Sequence, residues 1–212
     1  MTSDEMHTLD VTIILNRLQE IAQAVMHAAE AQTLELVLER IASLSRQLIP
    51  CRYAALGIPD GRGSLKYFKT SGMTKEELAL MERLPQGHGL LGAIMVERRT
   101  MRLDSIQNDA RSSGFPKNHP YMRSFLGTPV QVGGQLFGML YLCDRIDGPF
   151  TESDEWMLET ISGYAALAIA GSNLRDKQRR LTLLEERQRI SMELHDGVIQ
   201  SLYAVGMYLD LL

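Results

Sequence analysis

The sequence predicts an α+β fold, an antiparallel sheet with helices on one face, followed by a long helix. Three observations carry that prediction. Segments of helical and strand period run in the order helix, helix, strand, strand, helices, strand, hairpin, long helix. Two glycine-bearing turns, Pro59-Asp60-Gly61-Arg62-Gly63 and Gly133-Gly134, each join neighbouring strand-like segments, the mark of antiparallel hairpins. From Ser153 onward no helix breaker occurs until Gly197.

Residues 9–30 read as the first helix, with Ile14, Leu18, Ile21, Val25 and Ala29 on one side. That face suits packing on its own domain or on a second copy equally well. Thr33 caps a second helix that runs to Leu48, where Pro50 stops it; Leu34, Val37, Leu38, Ile41, Leu44 and Leu48 point inward. Strands follow at 51–58 and 65–70, then a helix over 74–84 with Thr74 as its cap. Pro85-Gln86-Gly87 breaks the chain, and a short helix is expected over 89–97.

Residues 101–106 form a short strand, and 107–122 an irregular stretch long enough to be functional. Strands at 124–132 and 135–145 flank Gly133-Gly134. Simple alternation in the second places Phe137, Met139, Tyr141 and Cys143 on one face and Leu136, Gly138, Leu140 and Leu142 on the other. Both faces are apolar, so the strand is covered on both sides, by helices on one and by a pocket roofed by 107–122 on the other. Thr151 caps the last helix, with Asp154 at its third position. That helix is apolar and alanine-rich on one side over 153–172 and highly charged over 173–189, where Leu174, Leu181 and Leu184 keep a partial seam suited to a parallel two-stranded connector.

Composition sets bounds on function. The chain has 212 residues, enough for one good-sized domain with extensions. A net charge of -4 argues against general nucleic-acid binding. The acidic start, Met1-Thr2-Ser3-Asp4-Glu5, lacks a signal-peptide pattern, and no apolar run approaches the ~18 residues of a membrane span. Two distant cysteines, Cys51 and Cys143, make neither a disulfide framework nor a zinc site. The expected location is therefore the reducing cytoplasm. Gly87-His88-Gly89-Leu90-Leu91-Gly92 spells GxGxxG, yet a helical segment and a proline precede it where a dinucleotide site needs a strand. Its glycines are read as a tight entry into a helix, and His88 as a loop residue.

The richest stretch for chemistry is 185–200. On a helix, Ile190, Leu194, Val198, Leu202, Val205, Leu209 and Leu212 form one apolar stripe. His195 and Asp196 sit at its edge, about 100° apart, and Asp196 and Gln200 share a polar stripe one turn long. A neutral imidazole beside a carboxylate that orients it and takes its other proton suits a phosphoryl acceptor, and a glutamine one turn on can hold a water for hydrolysis. A helical histidine beside an acid, without chemistry, fits the spacing as well.

The residues from Glu186 to Gln200, Glu-Arg-x-Arg-Ile-x-x-Glu-Leu-His-Asp-x-x-x-Gln, resemble the phosphoacceptor box of the nitrate/nitrite-sensor (NarL-partner) class of bacterial sensor histidine kinases. Ser191-Met192 departs mildly from the small residues common there. The resemblance implies His195 as the phosphorylated residue, Asp196 as acid/base and Gln200 as the phosphatase-assisting residue. It also implies a homodimer, a NarL-type DNA-binding response regulator as partner, and a helical dimerisation bundle. To Leu212 the sequence holds neither the second helix of that bundle nor an ATP-binding domain. ATP would act only through that absent domain, and ATP hydrolysis by this chain alone is not expected.

Upstream, Gly89-Leu90-Leu91-Gly92, Gly114-Phe115-Pro116, 124–130 and 137–142 resemble the GAF small-molecule-sensing domain over residues 30–172. The Asn-Lys…Phe…Asp-Glu pattern of cyclic-nucleotide binders and the Cys-His or Asp-Ile-Pro signatures of bilin binders are absent from the sequence. Residues Gly114 to Val130 and Phe137 to Asp144 are similar to the haem-binding GAF domain of mycobacterial dormancy (oxygen and redox) sensor kinases. That likeness implies haem b, with His119 as axial iron ligand, Tyr141 as the distal residue touching bound gas, and apolar walls from Phe137, Met139 and Phe125 or Leu126. The family has two tandem GAF domains where this chain has one, and Lys117-Asn118 stands where an extra histidine precedes the ligand. The alternative is that His119 and Tyr141 are loop and core residues around a different pocket or none.

The expected organisation is an N-terminal helix (1–30), a GAF sensory domain (31–172), a signalling-helix linker (173–189) and the first helix of a dimerisation and phosphotransfer domain (190–212). Two further readings stand beside it: a kinase-less regulator that dimerises with or takes phosphate from a full-length kinase, and a haem gas-binding protein with a vestigial histidine box.

Overall fold

The structure is a computed structural model, and it describes residues 3–80, 89–115 and 119–209. The expected break at 85–87, His88, and the last turn expected for the 74–84 helix lie outside the described residues. The chain divides into two compact units, Met1–Ser172 and Asn173–Leu212, each taken by itself below.

The first unit is built on five antiparallel strands: β1 (Cys51–Pro59), β2 (Leu65–Ser71), β3 (Met101–Leu103), β4 (Phe125–Val132) and β5 (Gln135–Arg145), in the order β2-β1-β5-β4-β3. The apolar strand β5 is central, between β1 and β4. Its hairpin with β4 turns at Gly133 and Gly134, with φ of 57° and 77°; two successive left-handed residues match the twist of the strands they join.

One face carries the helical layer: α1 (Ser3–Ala29), α2 (Leu34–Leu48) and the start of α5 (Glu152–Leu209). Ile21, Val25, Ala28 and Ala29 of α1 are buried with Val37, Leu38 and Ile41 of α2 and Leu158, Ile161, Ala165 and Ile169 of α5. The second half of α1 thus packs on its own domain, settling a choice its periodicity left open. Leu56, Leu126, Leu140 and Leu142 face these helices from the sheet.

The helix starts follow local rules. Thr33 accepts from the Leu36 amide at 3.4 Å. Before α3 (Lys75–Leu80), Thr74 and Glu77 exchange side-chain-to-backbone bonds at 2.7 and 3.1 Å, a capping box. Thr151 and Asp154 do the same for α5, at 2.8 and 3.2 Å. Burial pushes the Asp154 carboxyl up, but donors from Thr151 and from Arg145, at 2.7 Å, outweigh it and hold it below the usual range. With its folded value below the unfolded one, Asp154 contributes stability above about pH 4 that disappears as pH falls through the folded value. In thermal melts from pH 7 to pH 3, the advantage of the wild type over Asp154→Asn is expected to shrink below about pH 4; a constant difference would contradict it.

Two expectations about the sheet are corrected. β3 ends at Leu103 instead of 106, because the Ile106 amide turns into a 3₁₀ turn (Ile106–Asn108) and donates to the Arg123 carbonyl at 2.7 Å. In β5 the ladder to β4 shifts register: Val130 pairs with Gly138 but Gln131 with Leu136. Phe137 is the extra residue of a bulge, so the alternation inverts there. Phe137 packs on the helical side and Leu136 on the other, the reverse of simple alternation.

Candidate functional site

The sheet face away from α1 and α2 is covered by α4 (Gly89–Glu97) and by the described parts of the segment between β3 and β4. Tyr53, Met139, Tyr141, Cys143 and Phe125 rise from the strands, and Leu90, Ile94, Ile106 and Met122 cover them. α4 comes close because β4 has no side chain at Gly127: a Cβ there would run into Ile94 Cδ1 and lie 2.7 Å from the Phe125 ring.

Tyr141 brings a buried hydroxyl to this face. It is 3% exposed, its ring lies 6.1 Å from that of Phe125, and its hydroxyl is buried without a hydrogen-bond partner. Burial drives its pKa well above the ordinary phenol value, so it is a neutral donor. A buried hydroxyl without a partner carries a desolvation cost of about 1–3 kcal/mol. In the ligand-free protein Tyr141→Phe is therefore expected to be neutral or to stabilise by about 1 kcal/mol; a lower melting temperature would show that the hydroxyl has a partner.

His119 is half-buried, and its ring stacks on Phe115 with centroids 4.9 Å apart and planes at 16°. Phe115 itself packs against the Tyr141 cluster. His119 Nδ1 lies 2.7 Å from the Pro120 carbonyl oxygen, which can only accept. The ring proton therefore sits on Nδ1, and Nε2 carries the lone pair a metal would use. Of the expected walls, Met139 and Phe125 belong to this face; Phe137 and Leu126 lie on the helical side. Pro116, Lys117 and Asn118 lie outside the described residues.

The structure adds residues that the motif did not mark. Tyr53 joins the face because its register partner is Cys143. Ile106 and Met122 join it because the segment between β3 and β4 folds back over the sheet. Cys51 and Cys143 are both free and buried, in different apolar clusters, and burial pushes the Cys51 thiol up to about 12. Among the described residues no cluster of three or more His, Cys, Asp or Glu side chains could hold a metal ion.

The second unit is helical. From Asn173 to Ile199 every described side chain is exposed, including Leu174, Leu181, Leu184, Ile190, Leu194 and Val198. Arg189 pairs with Glu186 at 2.6 Å and with Glu193 at 3.1 Å, the spacing of successive helical turns. His195 is exposed two residues beyond. The side chains of Asp196 and Gln200, and the stripe expected beyond Ile199, lie outside what is described. The structure brings His119 and Tyr141 to one side of the first unit, while His195 belongs to the second. Among the described residues no helix is long and apolar enough to cross a membrane.

A family model described as GAF domain matches residues 27–170, and one described as Histidine kinase matches 186–212. Sensor histidine kinase YhcY of Bacillus subtilis is 33% identical over 79 residues, 37% of this chain and 21% of that protein. Probable 3',5'-cyclic phosphodiesterase pde-5 of Caenorhabditis elegans is 21% identical over 193 residues, 84% of this chain and 25% of that protein. The chain thus spans about a quarter or less of the length of these relatives. Among solved structures, the GAF domain of a phosphoenolpyruvate-protein phosphotransferase from Coxiella burnetii superposes with a TM-score of 0.64 at 24% identity, covering 77% of this chain and 96% of that one. Free methionine-R-sulfoxide reductase from Neisseria meningitidis gives 0.59 at 17%, covering 74% and 89%. At these identities the likeness is one of fold.

Proposed function

Because the chain belongs to the GAF domain family and runs on into a histidine kinase region, we propose that it is the sensory and phosphoacceptor portion of a two-component sensor histidine kinase. The observation that carries this is the succession of the two matched regions in one chain, 27–170 and then 186–212. The first unit senses a small ligand on the α4 side of its sheet. His195 accepts a phosphoryl group from a catalytic domain and passes it to a response regulator of the NarL type. Asp196 orients the imidazole and takes its proton, and Gln200 assists the reverse hydrolysis. The exposed apolar residues of α5 beyond Ser172 supply the seam for a homodimer. The test is phosphoryl transfer from a supplied catalytic domain of this class with ATP; acid-labile label on His195 is the expected result.

A second proposal concerns the ligand. Haem b is supported by the donor set: His119 with its lone pair on Nε2, and Tyr141 with a buried hydroxyl lacking a partner. Bound haem would supply an iron that takes a diatomic gas or changes oxidation state. His119 would hold it, Tyr141 would donate to what binds, and Met139 and Phe125 would exclude water. The Tyr141 hydroxyl is enclosed by its neighbours, so binding requires the covering segment to move outward. Protein expressed with haem available is expected to show a stoichiometric Soret band that is lost or shifted in His119→Ala. Its absence from both proteins would remove haem and leave the kinase reading standing.

A further inference from the structure

The segment that covers Tyr141 is flanked at both of its ends by residues that bond to α5. It begins after β3 and finishes at the start of β4, and its described residues Ile106, Phe115 and Met122 pack on the candidate face. Just before it, Arg102 of β3 donates to Glu155 of α5 at 2.9 Å and to the Phe150 carbonyl at 3.2 Å. Thr100 meets Glu159, one turn further along α5, at 2.5 Å, and Thr128 of β4 at 2.9 Å. Glu155 and Glu159 are four residues apart and so share one face of the helix.

At the other end, Asp144 Oδ1 accepts from the amides of Arg123 and Ser124 at 2.7 and 3.2 Å. The Asp144 amide donates to the Ser124 carbonyl at 3.1 Å. The next residue, Arg145, donates from its amide to Ser124 Oγ at 3.3 Å and from its guanidinium to Asp154, the capping carboxylate of α5, at 2.7 Å. Asp144 holds a left-handed φ of 56°, which puts its side chain on the covering segment while that of Arg145 reaches α5. Such a conformation has a cost for a non-glycine residue and persists where its surroundings require it.

We propose that these two polar clamps, Asp144-Arg145 on one side and Thr100-Arg102 on the other, are the relay by which movement of the covering segment reaches the first two turns of α5. The inference rests on reading the α4 side of the sheet as the sensing face. It adds a regulatory route: a ligand that lifts the segment loosens the seating of the output helix, because the residues flanking it, Thr100 and Arg102 at one end and Arg145 of β5 at the other, hold that helix through charge-assisted hydrogen bonds.

Native-state hydrogen exchange on this chain tests it. Asp144→Gly keeps the left-handed conformation and removes the acceptor; Asp144→Asn keeps both the conformation and an acceptor oxygen. Asp144→Gly is expected to speed exchange about ten-fold at the amides of 156–160 in α5, as well as at Arg123 and Ser124. Asp144→Asn is expected to stay near wild type at both places. In an Arg145→Met background, Asp144→Gly should affect the covering segment without further effect on 156–160. Faster exchange confined to Arg123 and Ser124 in Asp144→Gly, or equal additional effects on α5 in both backgrounds, would overturn the relay. The measurement needs neither ligand nor phosphorylation. A negative result therefore removes the relay alone, whereas failure to label His195 removes the kinase reading alone.

Discussion

His195→Gln is expected to abolish phosphoryl acceptance from a supplied catalytic core. Glutamine approximates the length and polarity of histidine but offers no nucleophilic ring nitrogen. In the proposed transfer a nitrogen–phosphorus bond would form as the bond from the γ-phosphorus to the leaving oxygen of ADP breaks, with the proton on the other ring nitrogen stabilised by a neighbouring base. His195 is exposed on α5. Asp196→Asn, which keeps the shape and loses the base, is expected to slow the transfer about 100-fold or more. Acid-labile label retained at wild-type level in His195→Gln would refute the assignment. Label lost in His195→Gln, with unchanged melting of the first unit, would establish it.

Gly127→Val is expected to destabilise the first unit by about 3 kcal/mol, read as a fall in melting temperature of about 10 °C. Gly127 pairs with Tyr141 across the β4–β5 ladder, at the point where α4 crosses the sheet. The added side chain meets Ile94, which is fully buried on α4, and the Phe125 ring. Neither neighbour is the free end of an exposed chain, so relief requires α4 to lift from the candidate face. Gly127→Ala, with one carbon instead of three, is expected to lose about half as much. A melting temperature unchanged in Gly127→Val would mean that α4 does not seat against β4. The same substitution is expected to disturb any ligand bound beside Tyr141, which separates it from a mutation on the helical side of the sheet.

Local signals in the sequence carried the element order, the hairpins and the helix starts. Thr33, Thr74 and Thr151 cap where the spacing predicts, because a cap involves residues three positions apart and can be read within one turn. Gly133-Gly134 makes its turn for the same reason. The motif from Glu186 to Gln200 was legible as a resemblance to a histidine kinase, and the matched Histidine kinase region covers it. What tertiary structure alone decided lies between distant residues. The bulge at Phe137 depends on the register of β4 against β5, and one extra residue moved that ring to the face opposite Met139 and Phe125. Whether α1 packs on its own domain was open in its periodicity, since an apolar stripe serves either partner; the burial of Ile21 and Val25 beside α2 decided it. Tyr141 was legible as an inward strand residue, but its lack of a partner emerges only when every neighbouring donor and acceptor is placed. Arg145 and Asp154, nine residues apart, and Arg102 and Glu155, fifty-three apart, meet because the sheet's twist and the return of α5 bring them together. Periodicity reports which face of an element is apolar; which element covers that face is set by packing over the whole fold.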